Sequence, residues 1–519
     1  MRPRDILGPA LVIILLALAT AAARAADGAL TTPPANVPKL VTVVIDGSSV
    51  YDATRLFPTY RDQLGQPISR ESARGVVAAI VALYEQDGYV KPEVALDDAL
   101  TARGIVRIRI FEAQVTRVHF EGDTARIEEQ MWRVATRLQK SKPLRREDVP
   151  QALRDLRQLA GYTVTANTQR DDQVRNAFAL TIKTRYSPVD GVVRMNNRGT
   201  DQVGPAFVLG QLYANGVIGR QGKVGLIYSS AMDPEEYLGG GLYADTAMAD
   251  GTRFSALLFQ STSSPNEAPV NLEDTYDRRR ATLRIWRPLR DGAGSSLSWN
   301  AAFDAEDLFI DRAGTELREE RLRVLEGGVR AGWRSAAATQ YSASLTLRKG
   351  LDGFGAGLQA SDITNDPRRV DFVVTLASAS IYQRFATDWS VRLDVMGQVS
   401  AYVLPDSERF KIGGDRLGRG FEVAEIAGDS GIGGKFELRR DLLNTEGVFG
   451  RLSTYGFYDT GTAWKENAPG SQSAATAGAG FAIQGSTITG YIEVAAPVSG
   501  ADIEGKYDPS VFAELSYRF

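Results

Sequence analysis

Short alternating runs of apolar and polar side chains dominate the chain from Gly191 to Phe519, separated by clusters of Gly, Asp, Asn and Pro. In the last run, Val511 to Phe519, every odd position is apolar or aromatic, and the opposite face is polar apart from Phe512. A β-strand alternates in this way when one face meets lipid and the other meets water. A soluble β-sandwich alternates too, but roughly 330 residues without a change of character favour one closed sheet.

The pattern therefore predicts an all-β transmembrane barrel over residues 187–519. At roughly 20 residues per strand plus turn, this region supplies about 14 to 18 antiparallel strands, and an even number is expected. The closing strand at Val511 to Phe519 is predicted to seal against the first strand, near Val192 to Asn196.

Two copies of a smaller α+β unit precede the barrel, at residues 41–114 and 115–186. Each copy reads strand, helix, helix, strand, strand, which predicts a small sheet packed against two helices. In the first copy Ser69 can cap a helix, and Tyr89 to Val94 is predicted as a short second strand. Tyr162 to Asn167 is its counterpart in the second copy. Both are candidate sheet edges, to which an extended peptide can add as a further strand.

Residues 1–25 have the pattern of a secretory signal peptide. A basic start is followed by an apolar core, Ile6 to Leu18, and by the small-x-small cleavage pattern of Ala23 to Ala25. A membrane anchor is the alternative, but the apolar stretch is short for a span of about 20 residues. Residues 26–40 contain three prolines and are predicted to form an extended linker.

Composition removes several functional classes. The 519 residues include no cysteine and carry a formal net charge of −3, which excludes a disulfide scaffold and a basic footprint for nucleic acid. His119 is the single histidine, so no metal site or cofactor is predicted. Gly428 to Gly431 resembles the nucleophile segment of serine proteases, but Ile432 breaks that motif and no histidine is positioned as its base. A turn is predicted there instead, and the chain is not expected to be an enzyme. Arg278 to Arg280 is predicted to mark a solvated rim or lumen edge.

A glycine-rich segment with a basic tip, Gly413 to Phe421, lies between two strand-like regions. A solvated barrel loop is one interpretation. Its end, Arg419-Gly420-Phe421, resembles the Arg-Gly-Tyr/Phe tip of the long inward-folded loop in POTRA-containing outer-membrane transporters and assembly factors. In that superfamily the loop arginine pairs with the aspartate of a Phe-x-Asp-x-Gly motif on the inner barrel wall. This chain has that motif at Phe457, Asp459 and Gly461, so the resemblance implies a pair between Arg419 and Asp459.

Within that superfamily, the chain looks like a two-partner secretion transporter of the haemolysin secretion/activation type. Met195 to Gly199 (MNNRG) resembles that family's first strand and turn. The resemblance implies sixteen antiparallel strands behind two α+β POTRA domains, with an inward loop near residues 411–432. It also implies that Phe519 belongs to the signal by which barrels are recognised for assembly.

The same resemblance implies a location and partners. The barrel is expected in the bacterial outer membrane with the POTRA domains in the periplasm. The expected partners are an unfolded secreted exoprotein of haemolysin or adhesin type, bound at the POTRA domains, outer-membrane lipid, and the barrel-assembly machinery during biogenesis. The implied function is export of that exoprotein through the barrel without nucleotide hydrolysis.

One departure and two alternatives accompany this interpretation. Family members often carry an N-terminal helix that plugs the pore, but residues 26–40 are too short and too rich in proline for a helix of about 20 residues. The inward loop is therefore expected to occlude the pore without it. An insertase that builds other barrels shares both motifs, although insertases typically carry more than two POTRA domains. A passive porin is disfavoured because porins need no paired periplasmic domains.

Overall fold

The structure, a computed structural model, describes residues 38–97, 103–200, 203–265, 274–292, 294–335, 339–361, 363, 365–445, 447–500 and 508–519. The predicted signal peptide and all of the predicted linker before residue 38 lie outside this part. No helix in the described ranges is both long and apolar enough to cross a membrane. The chain forms two compact units, one made of residues up to Leu83 together with Val94–Ile110, the other of Tyr84–Glu93 and everything from Phe111 onward.

The first unit holds a three-stranded sheet in the order β1-β3-β2, in which β1 and β3 are parallel. Its elements are β1 (Thr42–Asp46), α1 (Ala53–Leu56), α2 (Arg70–Gln86), β2 (Glu93–Asp97) and β3 (Ile105–Phe111). Ser69 caps α2, because its hydroxyl accepts from the backbone N–H of Ser72 at 3.0 Å. The prediction of a strand from Tyr89 to Val94 is wrong: Tyr89 forms a bridge with Arg145, and the edge strand begins at Glu93.

The second sheet has the order β4-β6-β5 and belongs to the same unit as the barrel. Its elements are β4 (Gln114–Gly122), α3 (Glu128–Lys140), α4 (Asp148–Arg157), β5 (Tyr162–Arg170) and β6 (Ala177–Tyr186). Parallel pairing of β4 with β6 and antiparallel pairing of β5 with β6 leave β5 at an edge. The apolar faces of both helices close the core over the sheet, with Leu138, Leu156 and Ile182 fully buried.

Sixteen strands within the described ranges close into an antiparallel barrel, which confirms the predicted fold class and number. They are β7 (Val189–Asn196), β8 (Phe207–Asn215), β9 (Lys223–Ala231), β10 (Tyr237–Ala247), β11 (Arg253–Ser263), β12 (Asp274–Asp291), β13 (Ser295–Arg312), β14 (Thr315–Arg334), β15 (Gln340–Gly350), β17 (Val373–Arg384), β18 (Trp389–Ser400), β21 (Ser430–Asn444), β22 (Arg451–Trp464), β23 (Gln472–Gln484), β24 (Ile488–Ser499) and β25 (Ser510–Arg518). A short strand, β16 (Gly357–Ala360), pairs with residues 318–321 of β14.

The alternation of side chains separates an apolar outer face from a polar lumen. Leu226, Leu242 and Leu258 are neighbours in register on β9, β10 and β11, and each is more than half exposed, as lipid-facing side chains are in an isolated barrel. On the inner face Arg280 contacts Asp304 at 3.2 Å. Arg278 likewise contacts Glu306, at 3.7 Å, so two of the three arginines at the predicted rim or lumen edge belong to the inner wall, and Arg279 between them lies on the other face of β12.

The barrel closes between its first and last strands, as predicted. The β25–β7 pairing runs from Glu514 opposite Asn196 to Arg518 opposite Val192. Phe519 and Gly191 then exchange two backbone hydrogen bonds of 3.1 Å. A Cβ added at residue 191 would lie only 2.6 Å from Cζ of Phe519, because the ring occupies that space. Glycine at this position therefore lets the aromatic ring complete the seam.

Candidate functional site

The segment between β18 and β21, residues 401–429, folds back into the barrel and is called the inward loop below. Two short strands, β19 (Phe410–Ile412) and β20 (Ile426–Gly428), pair as a hairpin. Gly413 and Gly414 follow β19 with φ of 120° and 89°, which disfavour any residue with a side chain. A Cβ at Gly413 would lie 1.8 Å from the carbonyl oxygen of Glu422. The double glycine thus allows the hairpin to turn tightly.

The inward loop packs an apolar face against the lumen wall. Phe410, Ile412, Leu417, Phe421 and Ile426 are buried together with Ala463 and Ala474 of the wall. Two wall glycines make room for Leu417: a Cβ at Gly433 would lie 2.3 Å from its Cδ2, and one at Gly461 would lie 3.1 Å away. Gly461, the glycine of the predicted wall motif, therefore has a packing role, because a larger residue there would crowd Leu417 and Ile412 of the loop.

Arg419 and Asp459 form a two-pronged ion pair at the tip of the loop. Arg419 Nε donates to Asp459 Oδ2 at 2.9 Å, and Nη2 donates to Oδ1 at 2.8 Å. The backbone N–H of Arg419 adds a 3.3 Å bond to Oδ2. Asp459 is fully buried and Arg419 is 7% exposed. Parallel N–H···O bonds of this kind fix orientation as well as distance, and they are stronger than neutral hydrogen bonds.

The remaining predicted site residues surround this pair, except Phe519. The guanidinium carbon of Arg419 lies 3.5 Å above the ring centre of Phe457, a cation–π contact on the face of the ring. Gly420 presses against β23 and β24, since a Cβ there would meet Ala496 at 3.0 Å and Thr476 at 3.2 Å. Phe421 is buried in the apolar face of the loop. Phe519 lies at the seam instead.

Two further carboxylates approach Arg419, and sequence reasoning missed both. Its Nη1 lies 3.4 Å from Glu437 Oε2 and 3.8 Å from Glu493 Oε2. Glu493 also accepts a 2.6 Å hydrogen bond from the Tyr455 hydroxyl. One signal was available for Glu493, because it is the single charged residue within Ile488–Ser499. An isolated charge among apolar residues on a lumen-facing strand needs a partner.

A second group of charges holds the base of the inward loop and is called the base cluster, made of Arg348, Asp304, Glu326 and Glu408. Arg348 of β15 donates to both carboxylate oxygens of Glu408 in the loop, at 2.9 and 2.8 Å. Its Nη1 also reaches Glu326 at 2.6 Å and Asp304 at 3.3 Å. A cavity of about 350 Å³ adjoins the cluster. The base of the loop is thus attached through one arginine that is shared by three carboxylates.

The segment Gly428–Gly431 has a structural role in the loop. Asp429 is almost fully buried, and its carboxylate accepts from the backbone N–H groups of Leu404 and Glu466, both at 2.8 Å. Ser430 starts β21 and bonds the backbone of Ser400 on the neighbouring strand. The predicted turn at this position is therefore wrong for Ser430, which belongs to the barrel wall. His119 lies on β4 with an exposed side chain.

Comparison with known proteins places these features in a family. A sequence profile of the haemolysin secretion/activation proteins ShlB, FhaC and HecB matches residues 179–485, more than half of the chain. The chain belongs to this family. No curated protein sequence matches the chain significantly.

Solved structures show the same fold. CdiB from Escherichia coli is 16% identical with a TM-score of 0.73, over 95% of this chain and 93% of that one. CdiB from Acinetobacter baumannii is 14% identical with a TM-score of 0.61, over 93% and 90%. BamA from Haemophilus ducreyi lacking POTRA domains 1–3 is 13% identical with a TM-score of 0.52, over 93% and 100%.

Membership in the haemolysin secretion/activation family makes the chain an outer-membrane transporter for a secreted partner protein. The family consists of transporters rather than enzymes. The insertase alternative is not favoured, because the matching family is one of secretion and activation proteins.

Proposed function

We propose that the chain exports one unfolded exoprotein through its barrel without nucleotide hydrolysis, and that the inward loop is the resting lock of the pore. The observation that carries this proposal is the buried, two-pronged pair of Arg419 with Asp459, which fastens the loop tip to the lumen wall. The apolar face of the loop and the base cluster attach the same loop at two other places. Export requires the loop to leave this position.

The partner first meets the sheet edges of the two N-terminal modules, which we assign as periplasmic POTRA domains. The edge strands are β2, at Glu93–Asp97, and β5, at Tyr162–Arg170. An extended segment can add to either edge through main-chain hydrogen bonds, which demand little of its side chains. The second module also contacts Arg220, in the turn between β8 and β9. The backbone carbonyl of Arg220 accepts from the Ala160 N–H at 3.1 Å, and its guanidinium lies 3.3 Å from the carboxylate of Glu129. A segment bound at β5 is thereby held near one mouth of the barrel.

Assembly of the barrel involves two other partners. Outer-membrane lipid covers the exposed apolar face, to which Leu226 and Leu242 belong. The seam residue Phe519 stacks on Tyr517 with ring centres 6.0 Å apart, leaving both rings about half exposed. This exposed aromatic pair on the last strand is available to the barrel-assembly machinery, and we propose it as part of the recognition signal.

A reversible tether tests the lock directly, because the chain has no cysteine of its own. Cysteines at Leu417 and Gly433 suit a disulfide, since Leu417 Cγ lies 3.2 Å from a Cβ built at residue 433. The oxidised L417C/G433C protein is expected to block secretion, and a reductant is expected to restore it. The reduced double variant and the L417C single variant are the controls, because G433C alone would press on the intact Leu417 side chain. Normal secretion by the oxidised, fully cross-linked protein would overturn the proposal.

The cargo for this assay is found by deletion. Culture medium and outer membranes of a strain lacking this chain are compared with those of its parent. Loss of one exoprotein from the medium, with other barrels unchanged, is expected of an exporter. A general loss of outer-membrane barrels would instead identify an insertase and would contradict the proposed function.

A further inference from the structure

Residues 196–199, at the end of the first barrel strand, contact both the seam of the barrel and its lumen. The side chain of Asn197 continues the seam where the β7–β25 ladder ends: its Nδ2 donates to the Val511 carbonyl at 2.9 Å, and its Oδ1 accepts from the Ala513 N–H at 2.7 Å. The Asn197 N–H also donates to the Ala513 carbonyl, at 3.3 Å. One amide side chain therefore replaces a pair of backbone groups in the ladder.

Arg198 turns from the end of this seam into the lumen. Its Nε donates to the Tyr491 hydroxyl at 2.7 Å, its Nη2 is bonded to the carboxylate of Glu493, and its guanidinium lies 4.1 Å from the ring centre of Phe512. The side chain is 9% exposed. Its remaining nitrogen, Nη1, lies 3.4 Å from the carbonyl oxygen of Arg419 at the loop tip. Arg198 thus contacts the seam, the wall and the loop.

Glu493 connects the two arginines. One of its oxygens is bonded to Arg198, and the other accepts from Tyr455 and lies 3.8 Å from Arg419. Its side chain is 3% exposed, so the charge of this carboxylate is compensated by its protein neighbours. If Arg198 withdraws, Glu493 loses a direct partner and the Arg419 carbonyl loses a donor. The position of the loop tip therefore depends on Arg198.

We propose that Arg198 is a positioning residue of the loop lock, coupling closure of the β7–β25 seam to seating of the loop tip. This inference rests on the lock function proposed above. Because the coupling is a free energy shared by two sites, it acts in both directions: a loosened seam releases the tip, and a displaced tip weakens the seam at Asn197. The Arg198 side chain is only 9% exposed while the loop is seated, so its effect on export passes through the loop.

A buried reporter measures whether the tip is seated. Thr476 is fully buried on β23, directly under Gly420. A cysteine at this position, in a chain that has no other, reacts with a water-soluble maleimide only when the loop tip has moved away. Labelling rates are measured on purified T476C protein in detergent. The heat-modifiable mobility of the folded barrel in gels confirms, for each variant, that the barrel is intact.

In this background Arg198→Ala is expected to raise the labelling rate about tenfold, equivalent to about 1.4 kcal/mol. Arg198→Lys keeps the charge but not the planar fork, so a rise of roughly threefold is expected. Arg253→Ala is the matched control, because it removes another lumen arginine with a single carboxylate partner, Asp245 at 2.8 Å. The control is expected to leave the rate unchanged.

The double variant decides whether Arg198 acts through the lock. If it does, adding Arg198→Ala to the Arg419→Ala protein raises the labelling rate only slightly. If the two changes raise the rate by the product of their separate effects, Arg198 acts independently of the lock and the inference is overturned. An unchanged rate in Arg419→Ala itself would refute the lock. A raised rate in Arg419→Ala, with Arg198→Ala no different from the control, would refute only the coupling. Should Arg198→Ala fail to assemble, Glu493→Gln removes the shared charge and is judged by the same outcomes.

Discussion

The inward loop is attached to the barrel by two kinds of charge contact, at its tip and at its base. At the tip, Arg419 meets one principal partner, Asp459, which is fully buried. At the base, Arg348 is shared by Asp304, Glu326 and Glu408 beside a cavity of about 350 Å³. The two contacts use the same chemistry in different surroundings.

This difference determines how each contact fails. When Asp459 is removed, the buried Arg419 loses its close two-pronged partner and keeps only the longer contacts with Glu437 and Glu493, which costs more than the pair itself contributes. A cluster with three close acceptors retains two of them when one carboxylate is lost, so Arg348 stays compensated. In the proposed lock the tip is therefore the switch, and the base is a graded attachment about which the loop can pivot.

The largest effect is expected from Asp459→Ala. Arg419 then keeps only Glu437 at 3.4 Å and Glu493 at 3.8 Å, so seating of the loop is expected to weaken by roughly 3 kcal/mol, the lower end of the range for broken buried pairs. Single-channel recordings in planar bilayers should show a pore that is open at rest, together with loss of secretion. A pore as closed as that of the unmodified protein would remove the distinction between tip and base.

Arg419→Lys is expected to have an intermediate effect. Lysine keeps the charge but loses the two-pronged geometry and the flat contact with Phe457, which together amount to about 1 to 2 kcal/mol. Frequent brief openings are expected in the same recordings. In a Phe457→Leu background the Arg419→Lys change should cost less, because the ring contact is already absent. Equal costs in both backgrounds would mean that the ring contributes nothing to the lock.

A smaller effect is expected from Glu408→Gln at the base. Arg348 retains Glu326 at 2.6 Å and Asp304 at 3.3 Å, and the glutamine oxygen still accepts a hydrogen bond, so a loss of about 1 kcal/mol is expected. Raising the salt from about 0.1 M to 1 M should change this defect more than that of the tip variants, because the side chain of Arg348 is 16% exposed and that of Arg419 is 8% exposed. The tip variants should show little salt dependence. A salt response that is stronger in Asp459→Ala would reverse the comparison.

The smallest effect is expected from Arg392→Ala. This arginine also lies on the lumen side, paired with Asp394 at 2.8 Å, but its side chain is 57% exposed. Exposed pairs contribute about 0 to 1 kcal/mol, so conductance, secretion and thermal stability should stay within error. A clear gain in resting conductance would show that lumen charge in general, rather than attachment of the loop, controls the pore.

Local alternation was enough to predict the barrel and its closing pair of strands, and it limited the strand number to about 14 to 18. The number sixteen came from the family resemblance. The strand predicted at Tyr89 to Val94 was wrong, because the backbone of Tyr89 pairs with Arg145 of the following module and the strand begins at Glu93. The turn predicted at Ser430 was also wrong, because a Gly-Asp-Ser-Gly segment is typical of a turn and only the pairing of β18 with β21 across the inward loop brings Ser430 beside Ser400.

The sequence likewise predicted some residues of the candidate site and missed others. Arg419 and Asp459 were found because two short motifs occur in order along the chain. Arg198, Arg348, Glu408 and Glu493 were missed, since their partners lie on strands that are distant in sequence and meet only across the lumen. Alternation shows which face a charged side chain occupies, but it contains no information about which charge on that face lies opposite.

The contact between Gly191 and Phe519 has a consequence for the order of folding. Every other wall strand pairs with a neighbour in sequence or across one excursion of the chain, whereas this contact joins the two ends of the barrel. Until it forms, two strand edges are open, and lipid cannot satisfy their backbone groups. Contacts between distant residues also form slowly. Arg198 follows directly on that seam, so under the proposed coupling a barrel whose seam is still open lacks the seat for the loop tip and has no closed state.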